Sequence, residues 1–307
     1  DTSSKRPILV TGSHRSGSTW VGKMIASSPA VEYIHEPFNI DPQSGICGGQ
    51  FENWFTYVCE ANSSAYYDYF RQCLDFKYPL ASKIVRNRDP KNIIRALRDY
   101  GRFAFKGMLP KRPLVKDPIA VFSTEWLART FDMDVIVLIR HPAAFAGSIK
   151  QATWPHPFHH FLNQPMLMRD HLSQFAAEIK AFSASEQDIV DQAILLWNLI
   201  HSTIRKYKER HKEWYFVRHE DISGNPVAEF RAIFNHVNLA YSPSVQNKIV
   251  KFSQSRNSGK MDDVLSIERD SVANIWSWKN RLTTAEIDRV REGTRDISSS
   301  FYDDGDW

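Results

Sequence analysis

A short apolar run, Pro7-Ile8-Leu9-Val10, ends in Thr11-Gly12 and passes through Ser13-His14-Arg15-Ser16-Gly17 into Ser18-Thr19-Trp20. The run has the character of a strand buried on both faces of a parallel sheet. Trp20, Met24 and Ile25 then recur near helical spacing across residues 19–27, and Pro29 stops them. Between strand and helix, Gly12 and Gly17 stand five residues apart, with Thr19 where a phosphate-binding loop carries its hydroxyl. Glycines at these places let the backbone curl until successive N–H groups face one anion at a helix N-terminus.

The loop departs from the nucleoside-triphosphate pattern at one informative position. Ser18 stands where such loops carry the lysine that reaches the β- and γ-phosphates, which argues against kinase or GTPase chemistry. The cation has moved inside the loop, as Arg15, so the site suits one compact anion rather than a triphosphate with magnesium. The formal net charge of +4 arises from 39 basic and 35 acidic residues that are interleaved along the chain. No positive stripe of the kind that tracks a nucleic-acid backbone is present, and no nucleic-acid partner is expected.

The rest of the chain alternates strand and helix signals. Val135-Ile136-Val137-Leu138-Ile139-Arg140 is the strongest buried strand, and Pro142 is well placed at the first position of a helix through Ala143, Ala146 and Ile149. Val31-Glu32-Tyr33-Ile34-His35-Glu36 and residues 214–218 read as further strands, with weaker candidates at 103–107 and 114–116. Residues 186–211 place Ile189, Ala193, Leu196, Trp197, Ile200 and Ile204 on one face of a long helix. Thr283-Thr284-Ala285-Glu286 has the form of a capped helix start. The expected fold is α/β, a parallel sheet with helices on both faces and a P-loop-like nucleotide-binding first turn. Ligands of such sheets sit beyond the C-terminal ends of the strands. Without a linker, low-complexity tract or repeat, a single domain over residues 1–307 is expected. Cys47, Cys59 and Cys73 match no zinc pattern, and an odd count makes no disulfide framework. No apolar run approaches the roughly 18 residues of a membrane span. The sequence starts at Asp1 without methionine; a cytoplasmic location is expected if it is the whole chain and is left open if a signal or anchor was trimmed.

Thr11-Gly12-Ser13-His14-Arg15-Ser16-Gly17-Ser18-Thr19-Trp20 resembles the 5′-phosphosulfate loop of sulfotransferases that use 3′-phosphoadenosine 5′-phosphosulfate (PAPS). A second signature, Leu138-Ile139-Arg140-His141-Pro142 with Ser148 two helical turns on, resembles the 3′-phosphate site of that family. Two signatures in the right order, about 120 residues apart, are far more specific than either alone. The resemblance implies sulfuryl transfer from PAPS to an acceptor hydroxyl on a glycan, a phenol or a lipid-like molecule, without a metal. It implies a nucleotide site of Ser13, His14, Arg15, Ser16, Gly17, Ser18 and Thr19, with Arg140 and Ser148 on the 3′-phosphate. Arg269 and Lys279 lie in a stretch similar to the family's C-terminal nucleotide loop, although its glycines are missing. Competing readings are a phosphotransferase with a degenerate P-loop and a protein that binds nucleotide without turnover.

Glu36 follows Arg15 by 21 residues, a separation similar to that in the glutamate-base branch of the family, which includes the tyrosylprotein type. It is the expected general base, and parallel neighbours would set it beside the loop after the first strand. His35 is the rival on unperturbed pKa, but strand alternation predicts that it points away from Glu36. Lys116, in Val115-Lys116-Asp117-Pro118, matches a Lys-Asp-Pro stretch of the same branch, and its charge would follow the sulfuryl group in flight. Arg15 would stabilise the leaving phosphate. His156, His159 and His160 invite a metal reading, but the adjacent prolines break regular geometry and no Cys or acidic ligand is adjacent, so a wall or lid is expected. Trp197 is expected in the core, as are Tyr66, Tyr67, Tyr69 and Phe70 in a core or lid helix.

Overall fold

A computed structural model describes residues 6–40, 51–77, 111–254 and 275–307. Its sheet has five parallel strands: β1 (Ile8–Gly12), β2 (Val31–His35), β3 (Arg112–Lys116), β4 (Asp134–Ile139) and β5 (Tyr215–Arg218). The lateral order is β2-β3-β1-β4-β5. The strand candidate at 103–107, Cys47 and Arg269 lie outside the described residues.

Alternation along the strands divides two apolar cores. On one face, Ile8, Val10, Ile136, Leu138 and Val217 pack against helices α1 (Ser18–Ile25), α6 (Pro226–His236) and α7 (Pro243–Gln254). On the other, Leu9, Val115, Val135, Val137 and Ile139 meet α2 (Tyr67–Leu74), α3 (Thr124–Phe131), α4 (Pro142–Ala152), α5 (Ile189–Arg210) and α8 (Thr284–Ser298). Helices therefore cover both faces, the arrangement expected for parallel strands that are apolar throughout. Each buried Val, Leu or Ile contributes about 1.5–3 kcal/mol, so the central strands anchor the fold.

Local chemistry sets the ends of the helices. Pro142 opens α4, where a missing N–H costs nothing. Asp188 caps α5 by accepting the Val190 N–H at 2.9 Å. Thr283 and Glu286 form the reciprocal capping box that opens α8. Tyr69, Phe70 and Cys73 of α2 are buried, whereas Tyr67 is exposed. Trp197 is fully buried and donates its indole N–H to the Arg140 carbonyl at 2.9 Å. No helix among the described residues is long and apolar enough to cross a membrane.

The lateral order corrects one expectation. β2 does not lie beside β1; β3 is inserted between them, with Lys116 in register with Val10 on one side and His35 on the other. The connection from β1 to β2 passes over one strand position, which β3 then fills.

Candidate active site

The loop after β1 closes as its glycines require. Gly12 has φ 127°, and a Cβ there would sit 2.1 Å from the Leu138 carbonyl oxygen of β4. Gly17 has φ 82°, and a Cβ would meet the His219 ring at 2.6 Å. Only glycine tolerates both the dihedral and the approach. Arg15 also adopts positive φ, at 62°, a strained conformation for a side chain of its size. The first turn of α1 carries no acidic residue to occupy its N-terminus. Ser13 Oγ is buried there without a hydrogen-bond partner among the described residues. A buried polar atom in that state costs about 1–3 kcal/mol, which an incoming anion would relieve. The His14 ring packs against Phe55 and Phe145, with centroids 5.6 and 4.9 Å away. Burial, reinforced by Arg15, lowers its pKa to about 3, so the imidazole is neutral.

Beyond the ends of β2 and β3, Glu36 and Lys116 meet. Lys116 is fully buried and donates to Glu36 Oε1. The Glu36 N–H donates to the Lys116 carbonyl at 2.8 Å, and Asn39 Nδ2 donates to Glu36 Oε2 at 2.8 Å. Burial alone would raise the Glu36 pKa; the Lys116 ammonium, with hydrogen bonds from Lys116 and Asn39, overcomes it and holds the carboxyl below its usual range. Asp117 accepts the N–H groups of Phe38 at 2.7 Å and Ile119 at 3.0 Å, clamping the turn that carries Glu36. Burial, with Glu36 nearby, raises the Asp117 pKa to about 7.

His35 does not point away from Glu36. Its Nε2 lies 3.9 Å from Glu36 Oε2, because the strand ends at His35 and Glu36 turns out of it with φ 41°. Alternation holds only while the backbone stays extended. Burial, then Lys116, lowers the His35 pKa to about 4, so the imidazole is neutral beside the carboxylate.

Arg140 leaves β4 with 6% exposure, its Nε 3.7 Å from Glu220 Oε1. Ser148 sits on α4, but its Oγ accepts from Arg15 Nε at 2.7 Å, joining the loop cation to the helix that follows Arg140. The Arg15 guanidinium also lies 5.6 Å from the ring centre of Trp154, which is exposed. Lys279 rests on Trp276 and Trp278, at 4.4 and 5.0 Å, and its neighbour Trp278 stacks on His141. That places the Lys279 segment beside the Arg140 strand end. Trp278 and Arg281 lie against α4 at Gly147, where even a Cβ would make ordinary contact with them, at 3.5 and 3.4 Å. No individual role follows from the sequence alone for Glu220, Arg281 or Trp154.

In the Trp154–Phe161 stretch the His159 and His160 rings meet edge-on, 4.5 Å between centroids, while His156 turns elsewhere. His160 Nδ1 accepts the Trp54 N–H at 2.9 Å, and His156 packs among Phe55, Phe158 and Phe161. Among the described residues, no group of three or more His, Cys, Asp or Glu side chains is arranged to hold a metal ion.

A loop cradle, a buried lysine–carboxylate pair and a second basic strand end thus gather beyond the C-terminal edge of one parallel sheet. The family model described as "Sulfotransferase family" matches residues 7–243, and the chain belongs to that family. Two solved structures share its fold over nearly its whole length. The sulfotransferase domain from the curacin biosynthetic pathway has a TM-score of 0.51 at 12% identity, covering 95% of this chain and 98% of that one. The sulfotransferase domain from the olefin synthase of Synechococcus PCC 7002 has a TM-score of 0.52 at 14% identity, covering 97% and 96%. No curated protein matches the chain in sequence.

Proposed function

We propose that the chain transfers a sulfuryl group from PAPS to an acceptor hydroxyl, with a glycan as the first acceptor class to test. The observation that carries this reading is the fully buried Lys116 hydrogen-bonded to Glu36, with β3 set between the loop strand and the Glu36 strand. The cradle of residues 13–19, with the buried Ser13 hydroxyl and the Arg15 cation, fits the 5′-phosphosulfate. Arg140 fits the 3′-phosphate, Ser148 is assigned to it as well although its hydroxyl is bonded to Arg15, and Lys279 is assigned to the same end of the nucleotide. PAPS supplies an activated sulfur whose bond to the 5′-phosphate oxygen breaks as a bond to the acceptor oxygen forms. Glu36 takes the acceptor proton, and Arg15 and Lys116 stabilise the oxygens where charge gathers.

The pairing of Lys116 with Glu36 gives the reaction an order. While the ammonium is on Glu36, the carboxylate is a weak base, held below its usual pKa. As charge builds on the sulfuryl oxygens, Lys116 is drawn to them and Glu36 regains basicity as the acceptor proton is lost. The test is single-turnover transfer from radiolabelled PAPS to an alcohol and to an acidic phenol. Glu36→Gln should slow transfer to the alcohol on the order of a hundred-fold while nucleotide affinity changes little, with a smaller defect on the phenol. Near-native rates on the alcohol would rule out Glu36 as the base.

A further inference from the structure

The carboxylate of Glu220 is engaged at both of its oxygens. Oε1 accepts the backbone N–H of His141 at 3.2 Å and lies 3.7 Å from Arg140 Nε. Oε2 accepts the hydroxyl of Tyr302 at 2.9 Å. The side chains of Arg140 and Glu220 are 8% and 11% exposed, and Tyr302 is 6% exposed, so the three form one buried unit. Tyr302 is held in turn. Its ring lies 5.3 Å from the Arg218 guanidinium and 4.9 Å, edge-on, from His141. Arg218 Nη1 donates to the Phe301 carbonyl at 3.3 Å and to Asp306 at 3.0 Å, which fastens residues 301–306 to the end of β5. Trp307 and Trp278 enclose the His141 ring from two further sides.

A carboxylate held at one oxygen can pivot, and the guanidinium paired with it pivots too. Held at both oxygens within a buried site, the pair keeps a single geometry, and a planar fork recognises phosphate only when its plane is set. We infer that Glu220 and Tyr302 are positioning residues that fix the Arg140 guanidinium for a phosphate at the 3′ position of the nucleotide, making the 301–307 segment part of the nucleotide site. The inference rests on the assignment of Arg140 proposed above. It also runs against simple charge counting, since a carboxylate so close to a phosphate repels it. Orientation must therefore outweigh repulsion.

The experiment measures dissociation constants of adenosine 3′,5′-bisphosphate and of AMP by calorimetry on the full chain. It compares the wild type with Tyr302→Phe, Glu220→Gln and Arg140→Ala, and the readout is the preference for the bisphosphate over AMP. Tyr302→Phe and Glu220→Gln should each lower that preference by about three- to tenfold with AMP affinity unchanged, a loss of the size of one ordinary hydrogen bond's net contribution. Arg140→Ala should nearly abolish the preference. If Arg140→Ala removes it and the other two leave it unchanged or raise it, the brace is refuted and the 3′-site stands. Equal loss of affinity for both nucleotides in Tyr302→Phe and Glu220→Gln would mark a purely structural role and also refute it. If Arg140→Ala leaves the preference intact, the 3′-site assignment fails and takes the brace with it.

Discussion

Replacing Glu36 by Gln would perturb more than the proposed proton transfer, because the carboxylate is also the counter-charge of a buried lysine. The Lys116 side chain is 0% exposed and the Glu36 side chain 17% exposed, so the pair sits largely out of water. Removing one partner of such a pair strands the other charge and costs about 3–5 kcal/mol. That is a large part of the roughly 5–15 kcal/mol that holds a typical domain folded. With a urea m-value of about 3 kcal/mol/M, a loss of about 4 kcal/mol moves the unfolding midpoint down by about 1.3 M. Glu36→Gln/Lys116→Met removes both charges and keeps apolar volume at the end of β3, so it should recover most of the lost stability while transfer stays slow. The assay is a double-mutant cycle in urea, run with Glu36→Gln, Lys116→Met and the pair. A cycle additive to within about 0.5 kcal/mol would refute the reasoning, since independent sites add to that precision. Recovery of stability without activity is the result that separates the two duties of Glu36.

Other consequences are sharper at single positions. His201 is fully buried and stacked on Trp197, and burial lowers its pKa to about 3 from the usual 6.5. Its folded pKa is depressed, so the folded ring stays neutral and its contribution is intact above pH 6.5 but is lost progressively as pH falls from there towards about 3. His201→Phe should therefore gain about 2 kcal/mol relative to wild type between pH 8 and pH 5 in urea titrations, and parallel pH profiles would count against it. Gly17→Ala meets both the positive φ and the His219 ring, and should cost more than about 1 kcal/mol of stability and weaken adenosine 3′,5′-bisphosphate binding, as read by thermal shift and calorimetry. Arg140→Ala should weaken bisphosphate binding by about 2–5 kcal/mol with a smaller effect on single-turnover transfer, whereas Arg15→Ala should mainly slow transfer; a reversal of the two would move the anion sites.

What the sequence made legible is what a local pattern can encode. The loop after β1 could be read because Gly12 and Gly17 answer a backbone demand that no other residue meets. β4 and Pro142 could be read because an apolar run and a helix-opening proline each act within a few residues. The sheet order could not. β3 is five residues long and contains Pro113, so neither alternation nor length announces a central strand, and its insertion between β1 and β2 depends on a crossover of about eighty residues. The contact between Glu36 and Lys116 follows from that insertion alone. The resemblance read from the sequence pointed to both residues but could not say that they touch, nor that the lysine is buried. The geometry around His35 failed for a different reason, since one residue at φ 41° cancels the alternation on which the prediction stood. Such a dihedral costs of order 1–3 kcal/mol and persists only where surrounding bonds impose it. Here the N–H groups of Glu36 and Phe38 are held by the Lys116 carbonyl and the Asp117 carboxylate. The strained turn and the buried lysine are thus one device: the last residue of β3 and the aspartate after it hold the Glu36 turn in place, and the same lysine supplies the charge that keeps the Glu36 carboxyl below its usual pKa.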